Sequence, residues 1–330
     1  MIYAKRIRRV KLKKRLALAL CIPLIPLTIM GLSEKTVAND VLNASKVNEG
    51  CLVNGWDKAK LIKLKQVEFE LKDNSAVNQK KLAFQMLHCL ANPDPIIRDG
   101  IAFESLSHWL RGNSLDNKTV LTMFNRLTKT LSSKVNDPNG VYLPFTALVL
   151  AEVARVDRKT PYLTTEQRNI LVSVAVTYLT TQRDYRGFDG DLGWRHGIAH
   201  GADLMLQLAL NPKIDKSQAD KILAALASQI TANNEHHYIY GEPKRLALPV
   251  AYIFLRGMHS EQEWQAWLSQ IAMATPFENW AETYQSEQGL AKLSNTQNFL
   301  FSLYASIKPS GNKNLQLMIP ALEKAIREVN

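Results

Sequence analysis

Apolar residues recur along most of this chain at spacings of three and four. In KLAFQMLHCLA, Leu82, Met86 and Leu90 fall four apart, which sets them on one stripe of a helix. The same period predicts helices over 57–71, 78–91, 94–112, 116–133, 142–157, 164–182, 194–210, 216–232, 243–257, 260–273, 291–307 and 313–328. The best-punctuated is NPDPIIRDGIAFESLSHWLRGN. There Asp94 suits an N-cap, Pro95 suits the first helical position, and Gly112-Asn113 closes the run. Breaks are expected at Asp137-Pro138-Asn139-Gly140, Thr160-Pro161, Arg186–Gly193 and Asn211-Pro212. Alternating β-branched runs bounded by hairpin turns are absent. The pattern therefore predicts an all-α protein.

Short connectors between helices of this length favour antiparallel neighbours. Pairs laid side by side give an α/α superhelix of the HEAT/armadillo kind, and a closed α/α toroid is the alternative. The stretch LANPDPIIRDGIAFESL resembles one HEAT repeat, with its Asp-Pro turn and an Arg early in the second helix. No strict period repeats elsewhere, so the expected array is degenerate. No stretch after the N-terminal leader is long, Gly/Ser-rich or of low complexity, so residues 39–330 are expected to form one domain.

The N-terminus changes the reading of charge. MIYAKRIRRVKLKKR is followed by an uncharged run, Leu16 to Leu32, and then by SEKTVAND. A basic, then apolar, then small-residue order predicts a signal peptide over 1–38, cut after Ala38. An N-terminal membrane anchor through residues 16–32 is the alternative, although Pro23 and Pro26 would disturb a spanning helix. Either way the basic flank stays inside and the rest is exported, to a periplasmic or secreted location or to an inner-membrane-anchored one facing the periplasm. The formal net charge is +11, but nine of the 41 Lys and Arg residues lie in 1–38, with only one of the 30 acids. What remains is an ordinary surface without a basic aromatic stripe, which argues against nucleic acid as a partner. In an oxidising compartment Cys51 and Cys89 are free to pair, while a buried thiol is the plainer expectation for Cys89 in its apolar helix.

Candidate chemistry concentrates in DYRGFDGDLGWRHGIAHGADLMLQLALNP, Asp184 to Pro212. If 194–210 is one helix, His200 and Asp203 lie within about 40° of His196 around the axis. Trp194 then covers the same turn. Two imidazoles and a carboxylate on one face suit Zn or another divalent ion, with Asp184, Asp189, Asp191 or Glu242 available as a further ligand or base. Zinc hydrolases with a His-x-x-x-His pair carry Glu after the first His; here Gly197 stands there. The competing reading is a satisfied structural network of His, Asp, Arg and Trp. His236-His237 reads as a solvated turn, His88 and His108 as packing residues, and Trp264 with Trp267 as a packing face.

Four stretches together resemble the bacterial domain-of-unknown-function family 2785. They are LHCLANPDPIIRDGIAFESLSHWL, PFTALVLAEVARVDRKTPYLT, YLTTQRDYRGFDGDLGWRHGIAHGADLMLQLALNP and YGEPKRLALPVAYIF, and the order and spacing resemble the family's from about 56 to 275. The family pattern falls here on Asp184, Arg186, Gly187, Gly193, Trp194, His196, Ala199, His200, Ala202 and Asp203, then on Glu242 and Arg245. The chain departs from it at Leu143-Pro144, where the family tends to carry Arg-Ser. The resemblance implies an all-helical fold and marks a site, and it brings no reaction with it. GIAHG is also similar to a motif of lanthionine-cyclase-like toroids, but their Cys-His-Gly element is missing.

The expectation is an exported helical-repeat binding module that holds a protein, peptide or envelope component on a concave surface. Its polar cluster is Asp184, Arg186, Trp194, His196, His200, Asp203, Glu242 and Arg245, with no cofactor required. A metal-dependent hydrolase or lyase built on His196, His200 and Asp203 is the alternative.

Overall fold

Many helix starts in this protein are set by side chains that accept hydrogen bonds from first-turn N–H groups, which have no partner within the helix. A computed structural model describes residues 48, 50–71, 76–232 and 234–329. Asp57 opens α1 (Lys58–Gln66) in this way. After α2 (Ala76–Cys89), Asp94 accepts from Ile96 N–H and Pro95 begins α3 (Pro95–Ile97). The chain then runs without a break through a π-helical segment, Arg98–Phe103, into α4 (Glu104–Arg111). Asp116 caps α5 (Asn117–Ser132), and α6 (Tyr142–Lys159) follows the Asp137–Gly140 turn. Reciprocal capping boxes begin α7 (Thr165–Thr181) at Thr164/Gln167 and α9 (Lys216–Ile230) at Asp215/Gln218. Between them lie two-residue strands, β1 (Phe188–Asp189) and β2 (Gly193–Trp194), and α8 (Gly197–Ala209). The rest is α10 (Glu242–Leu255), α11 (Glu261–Ile271), α12 (Glu287–Ile307), α13 (Lys313–Gln316) and α14 (Ile319–Val329).

Among the described residues the protein is all-α but for that small hairpin, and the helices follow the order the periodicity predicts. Away from the hairpin, three boundaries differ. The first helix stops at Gln66 because Glu68 and Phe69 take positive φ. The 291–307 helix begins earlier, where Ser286 accepts from Gly289 N–H. The last helix is interrupted between Gln316 and Ile319. Among the described residues no helix is long and apolar enough to cross a membrane. The leader, residues 1–38, with both its signal-peptide and anchor readings, lies outside the described residues.

Packing follows an alternating rule. One series of helices, α2, α4, α6, α8, α10, α12 and α14, packs each member against the next, and α5, α7 and α9 form a second series. Each helix of these two series thus meets a second neighbour in sequence, and one apolar core runs from Cys51 to Val329. Near its start the Cys51 and Cys89 sulfurs are bonded to each other, both residues fully buried.

A buried acid fastens the middle of the array. Asp157 on α6 accepts the N–H groups of Tyr162 and Leu163 at 3.0 and 2.9 Å, Arg168 Nε at 2.8 Å and Asn211 Nδ2 at 2.9 Å. Burial pushes its pKa up, but the hydrogen bonds from Arg168, Leu163, Asn211 and Tyr162 win and hold it below the ordinary carboxylate value. Its stabilisation is therefore complete above the unfolded value of ~3.9 and is lost as pH falls through the lower folded value. Replacing Asp157 with Ala leaves Arg168 buried without its partner and should lower stability by about 3–5 kcal/mol in denaturant unfolding at pH 7. A loss under about 1 kcal/mol would show that the network is not a fastening.

Candidate functional site

The site begins with a buried cation. Arg98, wholly buried in the π-helical segment, donates through Nη2 to the carbonyls of Leu192 and Trp194 at 2.6 and 3.3 Å. Its Nη1 reaches the carbonyls of Asn92 and Pro93, its Nε lies 2.7 Å from Asp99, and its guanidinium sits 4.8 Å above the Phe145 ring. The hairpin it holds is set by Asp189. That carboxylate accepts Asp191 and Leu192 N–H, both at 2.9 Å, and pairs with buried Arg195 at 3.1 Å. Those backbone bonds, and then Arg195, push Asp189 down to about 2. Two glycines are required here. A Cβ on Gly193, at φ +69°, would meet Pro95 at 3.0 Å, and one on Gly187 would lie 1.9 Å from the Tyr240 ring.

His196 ends the loop in a left-handed conformation, φ 57°, and serves as the N-cap of α8. Its ring stacks on the Trp194 indole at 4.1 Å and 5°. The His200 ring lies 5.6 Å from that of His196 and edge-on to Phe145 at 5.0 Å. Both imidazoles are buried, 8% and 5% exposed, whereas Trp194 is 38% exposed above them. The Nδ1 atoms of His196 and His200 are buried and have no hydrogen-bond partner. Burial, and then nearby Arg245, lowers His196 to about 4. Burial, then His196 and Arg245, puts His200 well below the ordinary histidine value. Both rings are neutral at pH 7.

The carboxylates behave in the opposite sense. Asp203, one turn below His200 on α8, forms an ion pair with Arg245 of α10. Burial still outweighs Arg245 and raises Asp203 to about 6. Glu242 at the start of α10 is buried and accepts Tyr240 N–H at 2.9 Å, and burial raises its pKa as well. Tyr240 carries the cluster outward, edge-on to Trp194 at 5.7 Å, and Phe188 flanks the same indole at 5.0 Å.

Of the residues singled out in the sequence, the structure thus gathers Trp194, His196, His200, Asp203, Glu242 and Arg245. Asp184 and Arg186 pair with each other at 2.6 and 2.8 Å, and the Arg186 side chain is more than half exposed. The helical phase assumed for the trio is corrected: α8 starts at Gly197, so Trp194 is on a strand and His196 is a left-handed cap. Among the described residues no group of three or more His, Cys, Asp and Glu side chains is arranged to hold a metal ion. His236, read as part of a solvated turn, instead stacks on Tyr185 at 5.9 Å. Sequence reasoning missed Arg98, Arg195, Phe188 and Tyr240. The signal for Arg98 was an arginine on the buried face of an apolar helix.

The opposed titrations give a two-variant test. His196, depressed to about 4, contributes stability that is present above the unfolded value of ~6.5 and is lost on acidification. Asp203, raised to about 6, contributes stability that is present below ~3.9 and is lost as pH rises through 6. Between pH 7.5 and 4.5, His196→Gln should therefore lose less stability than the parent chain, and Asp203→Asn should lose more. Urea unfolding at both pH values measures this, and parallel profiles for all three proteins would refute the assignment.

Neither a curated protein nor a solved structure matches the chain. Residues 123–305 match the family described as Protein of unknown function (DUF2785), a segment that holds α6, the hairpin, both histidines and Arg245. That match covers more than half of the 330 residues, and the chain belongs to this family.

Proposed function

We propose that this protein is an exported binding module, with its helix pairs stacked as a HEAT/armadillo-like superhelix and the His196/His200 cluster on the concave face. The alternating helix series supports the architecture. The Cys51–Cys89 bond supports an oxidising compartment and, with the leader, export. The observation that carries the binding role is the pair of buried, unpartnered imidazole Nδ1 atoms under a partly exposed tryptophan. A purely structural network satisfies its buried polar atoms. Here Asp203 and Arg245 satisfy each other, the Pro144 backbone meets the His200 ring, and the two Nδ1 atoms are left to meet a donor from outside, with Trp194, Phe188 and Tyr240 as apolar surface beside them. The occupant is a protein segment, peptide or envelope component.

One observation favours a second reading, a hydrolase or lyase. Asp203 near 6 is placed to exchange a proton close to neutral pH, as a general acid does, and a bound divalent metal belongs to this reading.

The test labels the histidine rings with 15N and titrates the chain with fractionated envelope extract. A binding fraction should move the His196 and His200 resonances in the parent and not in Trp194→Ala, whose melting temperature should stay unchanged. Binding that never moves either ring would end the proposal. Recovery of the bound component intact supports a module, and recovery of a cleaved product supports the enzyme. Fusing residues 1–45 to a reporter active only outside the cytoplasm checks export, and an inactive reporter on a well-expressed fusion argues against it.

A further inference from the structure

The second series of helices packs closely from α5 to α7 and from α7 to α9, but among the described residues this close packing does not continue from α9 to α11. A cavity of about 590 Å³ lies between them. Its α9 wall includes the small side chains of Ala224, Ala227 and Ser228 beside Leu223, and its α11 wall carries Trp264, Ala266 and Trp267. The two indoles meet edge to face at 6.0 Å. Space of this size, small on one side and aromatic on the other, suits a small organic molecule.

Two buried polar atoms of the lining residues have no partner: the Trp267 Nε1–H donor and His259 Nδ1. Also lining the cavity, Lys216 Nζ sits 2.8 Å from Glu263 and 3.2 Å from Asp220, and His259 Nε2 lies 2.7 Å from Asp220. Lys216 bonding, and then Ser260, holds Glu263 down at about 2. Two ionised carboxylates therefore face one lysine, which is nearly half exposed and reaches them from the first turn of α9.

We propose that this cleft binds an organic ammonium ion, an amine carried on an apolar ring with a hydrogen-bond acceptor at its far end. The ligand's ammonium takes the place of Lys216 Nζ between Asp220 and Glu263. Lys216 is free to swing into solvent, because an exposed ion pair holds its partners only weakly. The ring lies over Ala224 and Ala227 beside the Trp267 indole, whose electron-rich face favours a nearby cation. The acceptor meets Trp267 Nε1–H. An anionic ligand is rejected by the two carboxylates, and a neutral one makes no ion pair with them.

The site is separate from the His196/His200 cluster, so failure of either proposal leaves the other standing. The test uses the purified chain in isothermal titration with tyramine, its neutral counterpart 4-ethylphenol, and its anionic counterpart 3-(4-hydroxyphenyl)propionate. Tyramine should bind at least about tenfold more tightly than 4-ethylphenol, and the propionate should not bind. Lys216→Gln should tighten tyramine binding by removing the competing ammonium. Glu263→Gln keeps the capping box and should abolish binding. Trp267→Phe keeps an aromatic wall without the N–H and should weaken it. Melting curves confirm that each variant is folded. Equal binding of the three probes, no binding of tyramine, or weaker tyramine binding by folded Lys216→Gln would each overturn the proposal.

Discussion

A positive charge without access to water organises this protein. Arg98 has almost no exposed surface, and such a charge is tolerable only when hydrogen bonds replace its lost hydration. Its acceptors come from the Asn92-Pro93 turn and from Leu192 and Trp194, almost a hundred residues away in sequence. The hairpin can therefore take one position, with Trp194 fixed over the loop that leads into α8. Phe145, beneath the guanidinium, also meets the edge of His200. The same cation thus sets both the roof and one wall of the histidine pair.

The cluster has an uncommon electrostatic order. Its imidazoles resist protonation and its carboxyl groups resist ionisation, and burial is the leading cause in each case. Arg245 acts on both kinds of group. It depresses the histidines through space and partly restrains the rise of Asp203. A low dielectric strengthens any hydrogen bond made to these neutral rings and makes an unmade one costly. For this reason the unpartnered Nδ1 atoms weigh more in assigning a role than the residue types do.

Much of the helical framework was legible in the sequence because capping and period are local signals. Asp94-Pro95, Thr164 with Gln167, and Ser260 with Glu263 mark helix starts within four residues of sequence. The loop before α8 was not legible in that way. Periodicity carries Trp194 and His196 smoothly into the helix, but the Arg195 N–H bond to the Gly187 carbonyl and the two Arg98 bonds draw them into a hairpin. Tyr240 was equally hidden, since its place against Gly187 depends on two segments meeting. The pairing of Asp203 with Arg245 joins two helices across 42 residues of sequence, a distance no local pattern spans. The family pattern marked both residues without saying that they touch.

The π-helical turn at Arg98–Phe103 carries one residue more than an α-helix needs to cover the same rise. Removing a single residue there, Gly100 for instance, would return the segment to ordinary winding without cutting the helix. The flanking α-helical residues would keep their phase, and the residues inside the turn, Arg98 among them, would be re-aimed. Trp109 would stay in the core while Arg98 would leave its ring of carbonyls, and no side-chain substitution nearby restores that ring. A change in chain length at this turn is thus a larger step for the protein than most changes in residue identity, and relatives with a different length here should hold the hairpin by other means.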